Sequence, residues 1–171
     1  MATHFNISGE LTKELLAPGD NYRVSKISLT NTQKVSKCKV DLYIEKKLTG
    51  KFYLLKGVEL PIGATLIYDD MKFSNTVGEF GLYIKLTDGA TFTLTGSINP
   101  TGTNTTVPGS GTAFLSELSI GDEILVTGET RIIDAITSDT AATGSAAWGS
   151  DLANDTTPDC NPTALVDVII N

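Results

Sequence analysis

The chain has 171 residues, 40% of them apolar, with a formal net charge of −7 and a pI near 4.6. That length suits one domain or two small ones, and no run approaches the roughly 18–20 apolar residues that a membrane-spanning helix needs. An acidic balance of this size argues against binding a phosphate backbone as the main task.

Along the chain, period-two alternation dominates, which predicts strands. The opening MATHFNISGE lacks a basic stretch followed by an apolar one, so the chain is expected to stay where it is made unless it leaves inside a larger assembly. Thr12 to Leu16 is a candidate helical turn, ended by Ala17-Pro18-Gly19. Tyr22, Val24, Ile27 and Leu29 alternate with one slip of phase, as at a bulge or a change of strand. Cys38, Val40, Leu42 and Ile44 face one way along a cleaner strand. Phe52–Leu55 and Val58–Leu60 follow around Gly57, and Pro61-Ile62-Gly63 punctuates the chain before Ala64–Tyr68. Leu82–Leu86 and Thr91–Thr95 flank Asp88-Gly89, which predicts a hairpin because glycine accepts the positive φ of the turn.

Residues 99–108 are Asn, Pro, Thr and Gly almost throughout and read as a linker. Val107–Thr140 then condenses Gly109-Ser110-Gly111-Thr112, the turn Gly121-Asp122 and three short alternating runs into a small β-unit. Ala113 to Leu118 is a second candidate helical turn, with Phe114 and Leu118, four residues apart, on one side of it as a plug. Thr127–Thr130 reverses the chain into Ile132 and Ile133. Thr137–Pro162 is again polar, with Trp148 as its one large anchor. Ala164–Ile170 ends the chain as an apolar strand that needs a sheet to complete. The expected fold is all-β: an antiparallel β-sandwich, Ig-like or jelly-roll-like, formed by residues 1–98 plus 162–171, with 99–161 inserted as a small β-barrel or meander module; two domains in series are the alternative.

The residues for chemistry are sparse. His4 is the only histidine and is placed near a frayed end, so no nucleophile–base pair can be built and no catalytic residue is assigned. Asp69-Asp70 and Asp122-Glu123 are adjacent pairs, which point to opposite faces of a strand and read as turn residues. Asp151, Asp155 and Asp159 with Asn154 and Asn161 lack calcium-loop spacing and read as a solvated loop. Cys38 and Cys160 are too few for a zinc site; they read as two buried thiols, or as a bridge if their strands start side by side. No metal or cofactor site is assigned. Tyr43, Tyr53, Tyr83 and Trp148 are core residues or, in a second reading, contacts for a sugar or a partner.

Lysines gather in residues 1–60, whereas Arg131 is the one cation after Lys85. The mildly basic front half is either a solvated face or a surface that docks on an acidic partner. The candidate interface residues are Lys34, Lys37, Lys39, Lys46, Lys47 and Lys51, with Trp148.

The run Lys26-Ile-Ser-Leu-Thr-Asn-Thr, then Val40-Asp-Leu-Tyr-Ile, Phe52-Tyr-Leu-Leu, Leu60-Pro-Ile-Gly-Ala-Thr-Leu and the terminal Val-Asp-Val-Ile-Ile, resembles small β-sandwich virion proteins of tailed phages, those of marine and cyanobacterial phages in particular. Gly109, Gly111, Thr112, Phe114, Gly121, Asp122, Ile124, Ile136, Ser138, Asp139 and Thr140 resemble a module of phage tail-fibre, baseplate and decoration proteins. The resemblance implies a non-enzymatic virion structural protein assembled in the host cytoplasm, a head decoration or cement protein or else a neck or tail accessory. It implies other virion proteins as partners, a major capsid or neck/tail protein, and a homo-oligomer or symmetric array without nucleic acid or membrane. A carbohydrate- or receptor-binding module of a tail fibre is the alternative of another class.

Overall fold

The structure, a computed structural model, describes residues 2–46, 49–75, 79–149 and 152–171. The chain forms strands β1 (Thr3–Ser8), β2 (Thr12–Leu16), β3 (Arg23–Val24), β4 (Ile27–Asn31), β5 (Cys38–Lys46), β6 (Gly50–Leu60), β7 (Thr65–Tyr68), β8 (Phe73–Ser74) and β9 (Gly81–Thr87). It continues through β10 (Phe92–Thr93), β11 (Ser97–Ile98), β12 (Thr106–Ser110), the single helical turn α1 (Phe114–Glu117), β13 (Glu123–Val126), β14 (Glu129–Ser138), β15 (Ala141–Gly144), β16 (Asp159–Asn161) and β17 (Leu165–Ile170). Two compact units result: Met1–Gln33, Lys37–Asp88 and Ala164–Asn171 form the first, and Lys34–Ser36 with Gly89–Thr163 form the second.

The first unit is a sandwich of two antiparallel four-stranded sheets, ordered β1-β17-β4-β7 and β2-β9-β5-β6. Alternation puts Ile7, Ile27, Leu29, Val166, Val168 and Ile170 of one sheet, and Val40, Leu42, Leu82, Ile84 and Leu86 of the other, into one shared core. Counted along the chain, the eight sandwich strands stand in the orders 1-8-3-6 and 2-7-4-5. Successive strands therefore change sheet at almost every step, and the last strand lies beside the first, as in a jelly roll. The expected terminal strand is β17, paired with β1 on one side and β4 on the other. The phase slip after Val24 is a change of strand, from the short β3–β8 ribbon to β4.

Four expectations are corrected. Thr12 to Leu16 is not helical but an edge strand on β9, since one isolated turn cannot repay helix nucleation while a sheet edge supplies ready partners. Asp88-Gly89 does not turn a hairpin: β9 pairs with β2 and β5, whereas β10 pairs with β16 of the second unit. The inserted unit consequently starts at Gly89, not Asn99, and runs to Thr163, not Asn161. His4 is not frayed; it lies within β1, opposite Ile169.

At this exit point the Asp88 carboxylate accepts the N–H of Ala164, the residue on which the chain returns, at 2.6 Å. Burial, with a smaller contribution from Glu10, raises the Asp88 pKa above the ordinary carboxylate value, against the pull of that N–H. A carboxyl raised on folding adds stability while protonated, and that contribution is lost as pH rises through its folded pKa. Asp88→Asn keeps the acceptor and removes the charge. It is expected to leave neutral-pH stability equal or higher and to flatten the decline above about pH 4. Asp88→Ala, which orphans the N–H, is expected to cost about 1–3 kcal/mol in chemical denaturation.

The second unit is one seven-stranded sheet, ordered β10-β16-β13-β14-β15-β12-β11. Its two edge strands are joined by only Leu94–Gly96, so the sheet must curl back on itself, yet no ladder joins β10 to β11. The expected barrel is thus an open curled sheet, with the meander β13–β14–β15 at its centre. Phe114, Leu118, Ile124, Val126, Ile133, Trp148 and Cys160 fill its core, the first two from α1 and its C-cap. The β13–β14 turn takes just two residues, Thr127 and Gly128, both at positive φ (47° and 86°), as a hairpin between twisted strands demands.

Candidate interaction face

The Gly109–Thr140 motif of the second unit is a structural clasp. Thr112 Oγ1 donates to the Asp139 carbonyl at 2.6 Å, Gly109 N donates to the Thr140 carbonyl, and the Asp139 carboxylate accepts Leu115 N at the start of α1. A Cβ on Gly109 would lie 2.1 Å from Thr112 Oγ1 and 2.9 Å from Phe114 Cζ, so close packing, not a turn, requires that glycine. Asp122 is fully buried and accepts Ser119 N and Thr163 N, while Glu123 accepts the Asn161 side-chain amide. Asp155 holds Thr127 N and Thr157 N, Asp159 takes the Thr93 hydroxyl, and Asp151 lies outside the described residues. Among the described residues no three His, Cys, Asp or Glu side chains gather as a metal site requires.

Trp148 is a core residue, not an exposed anchor: it is 1% exposed, its Nε1 donates to the Thr106 carbonyl at 2.9 Å, and Arg131 lies 4.8 Å over its ring. Lys34 belongs to the second unit and donates to the carbonyls of Leu115 and Leu118, the free acceptors at the end of α1. Cys38 and Cys160 are free, each buried in a different core; burial raises the Cys38 thiol to about 11 and the Cys160 thiol further.

Lys39 and Lys51 stand on the outer face of β2-β9-β5-β6. There Glu14, Tyr83, Tyr43 and Tyr53 stand in one register row, one from each strand. Tyr83 stacks on Tyr43 at 5.7 Å, Tyr53 tilts against Tyr43 at 5.5 Å, and the Tyr83 hydroxyl donates to Glu14 at 2.7 Å. That bond to a carboxylate, more than burial, holds the Tyr83 phenol up at about 12. Lys51 donates to the Tyr43 hydroxyl at 3.2 Å with its ammonium 4.5 Å from that ring, and Lys56 lies 4.7 Å over Tyr53. So enclosed, Tyr43 is 1% exposed although it points away from the sandwich core; Tyr53 remains 42% exposed.

Lys37 pairs with Glu59 at 2.8 Å and Lys46 with Glu79 at 3.1 Å, so both carry their own counter-charge. Lys39 is exposed on β5 opposite Glu59, and Lys47 lies outside the described residues. Of the expected interface lysines, Lys51 is therefore the one whose ammonium is held on an aromatic platform without an ion pair among the described residues. Lys56 completes this site and was not among the expected residues. The signal was present: Tyr43 has the odd parity of Lys39, Asp41 and Glu45, opposite to Cys38, Val40 and Leu42.

Charge is partitioned just as sharply. The first unit has eleven Lys and Arg against eleven Asp and Glu, and the second has two against nine, so the whole net charge of −7 sits on the second. Both of its cations are engaged, Lys34 on carbonyls and Arg131 on Glu129 and the Ala147 carbonyl. Fold and face together define a neutral jelly roll with a laddered aromatic face, carrying an acidic β-unit between its seventh and eighth strands. Compared with known proteins, the chain matches no family model, no curated protein and no solved structure.

Proposed function

We propose that the chain is a non-enzymatic structural protein of a tailed-phage particle, a head decoration or cement protein that docks through its jelly roll and leaves the inserted unit exposed. The observation that carries this reading is the charge partition. A net-neutral unit can be repeated at close quarters on a particle without mutual repulsion, while a unit of net charge −7 resists crowding and favours solvent. Jelly rolls recur in viral capsid domains and in lectins, and the burial of Trp148 removes the residue on which sugar binding by the inserted unit would have rested. Asp122, Asp139 and Asp155 of that unit are taken up by backbone N–H groups.

The test is electron cryo-microscopy of intact particles of the virus that encodes the chain. The reading expects jelly-roll density repeated with the symmetry of the shell. Density confined to the neck or tail would move the protein to an accessory role there, and absence from purified particles would end the reading.

A further inference from the structure

We infer that the tyrosine face of the jelly roll is a self-recognition surface that pairs with the same face of a second copy. The register row is polar: Glu14 stands at its β2 end, and Tyr53 with Lys51 and Lys56 at its β6 end. With strands about 4.8 Å apart, the two ends are separated by about 14 Å. A partner that fits needs a cationic site opposite Glu14, a carboxylate opposite the lysines and aromatic surface between them. This face, turned over, supplies all three.

A twofold axis lying in the interface, parallel to the strands and running between β9 and β5, lays β2 over β6 of the second copy and β9 over its β5. Glu14 then meets Tyr53 between Lys51 and Lys56, Tyr83 meets Tyr43, and Lys85 meets Asp41, which occupies the same rung one strand away. The other charges of the face leave this polarity intact. Lys39 and Glu59 face each other within one copy, and Glu45 lies across from Lys51, whose ammonium turns instead to Tyr43. The result is an aromatic centre inside a charged rim, the usual composition of a specific contact, and one contact of this kind closes a dimer.

Edge-to-edge pairing through β6 is not the mode. β6 shifts register twice against β5, and Gly57, at φ 61° with its N–H on the Asp41 carboxylate, kinks the strand, which blunts that edge.

The inference concerns the jelly roll alone and holds whether or not the protein belongs to a particle, so the two readings fail separately. Its test is sedimentation equilibrium of the full chain and of two variants, Glu14→Lys and the double variant Lys51→Glu with Lys56→Glu. Wild type is expected to dimerise, more weakly at high salt, and each variant alone to dimerise at least about tenfold more weakly because like charges now meet. An equimolar mixture of the two variants is expected to recover association, since both ends of the row are again opposite in sign. Glu14→Gln keeps an acceptor for Tyr83 and removes the charge, and is expected to weaken the dimer while its unfolding midpoint stays that of wild type. A wild-type chain that stays monomeric up to about 1 mM, variants that associate as wild type does, or a mixture that fails to associate would each overturn the inference.

Discussion

Trp148→Ala is expected to unfold the second unit and leave the jelly roll folded. Trp148 is the largest fully buried side chain of the unit. Emptying such a site costs about 3–5 kcal/mol through lost burial and the cavity left behind. The Thr106 carbonyl loses its indole donor and Arg131 its ring, which adds to the cost. Against a stability of about 5–10 kcal/mol for a small domain, that loss is most of what holds the unit folded. Hydrogen exchange read by peptide is the measurement: residues 92–161 should lose protection while 27–46 keep theirs. An exposed binding tryptophan would show neither effect.

Val168→Asp is expected to do the reverse. Val168 is fully buried in β17, between Phe5 of β1 and Leu29 of β4, so the substitution sets a carboxylate in the centre of the sandwich. An unpaired charge there costs several kcal/mol, as much as a domain of this size has to lose. The unfolding midpoint of the jelly roll should collapse, or the chain should become insoluble on expression. The neighbour Ile169 points outward and is 39% exposed; Ile169→Ser should change stability by about 1 kcal/mol or less. A large difference between adjacent positions is what a two-faced strand requires.

Much of this architecture is legible without coordinates, for a physical reason. Period two survives in β4, β5, β9 and β17 because each has one face in the core, and a terminal run as apolar as Leu165–Ile170 has nowhere to go but a sheet. The plug Phe114/Leu118 is legible for the same reason, since both are fully buried. The failures arise where local and tertiary preferences diverge. Asp88-Gly89 has the composition of a hairpin turn, but the Asp88 carboxylate is taken by Ala164, a residue 76 positions away. Trp148, set in a polar loop, stays open to a core and an interface reading because the strands that enclose it lie elsewhere in sequence. The tyrosine face is half legible: parity puts Tyr43 outside, but only the register with Tyr53 and Tyr83 shows that the three rings form one row.

The central claim is that a complete jelly roll, closed by the last strand of the chain, carries the second unit as an insertion. It is tested most directly by replacing Gly89–Thr163 with a short Gly/Ser linker, which the hydrogen bond between Asp88 and Ala164 shows needs to span very little. The shortened chain should be soluble, unfold in one cooperative transition and keep the exchange protection of β4, β5 and β17. An unfolded or aggregated product, or one in which β17 exchanges freely, would contradict the account.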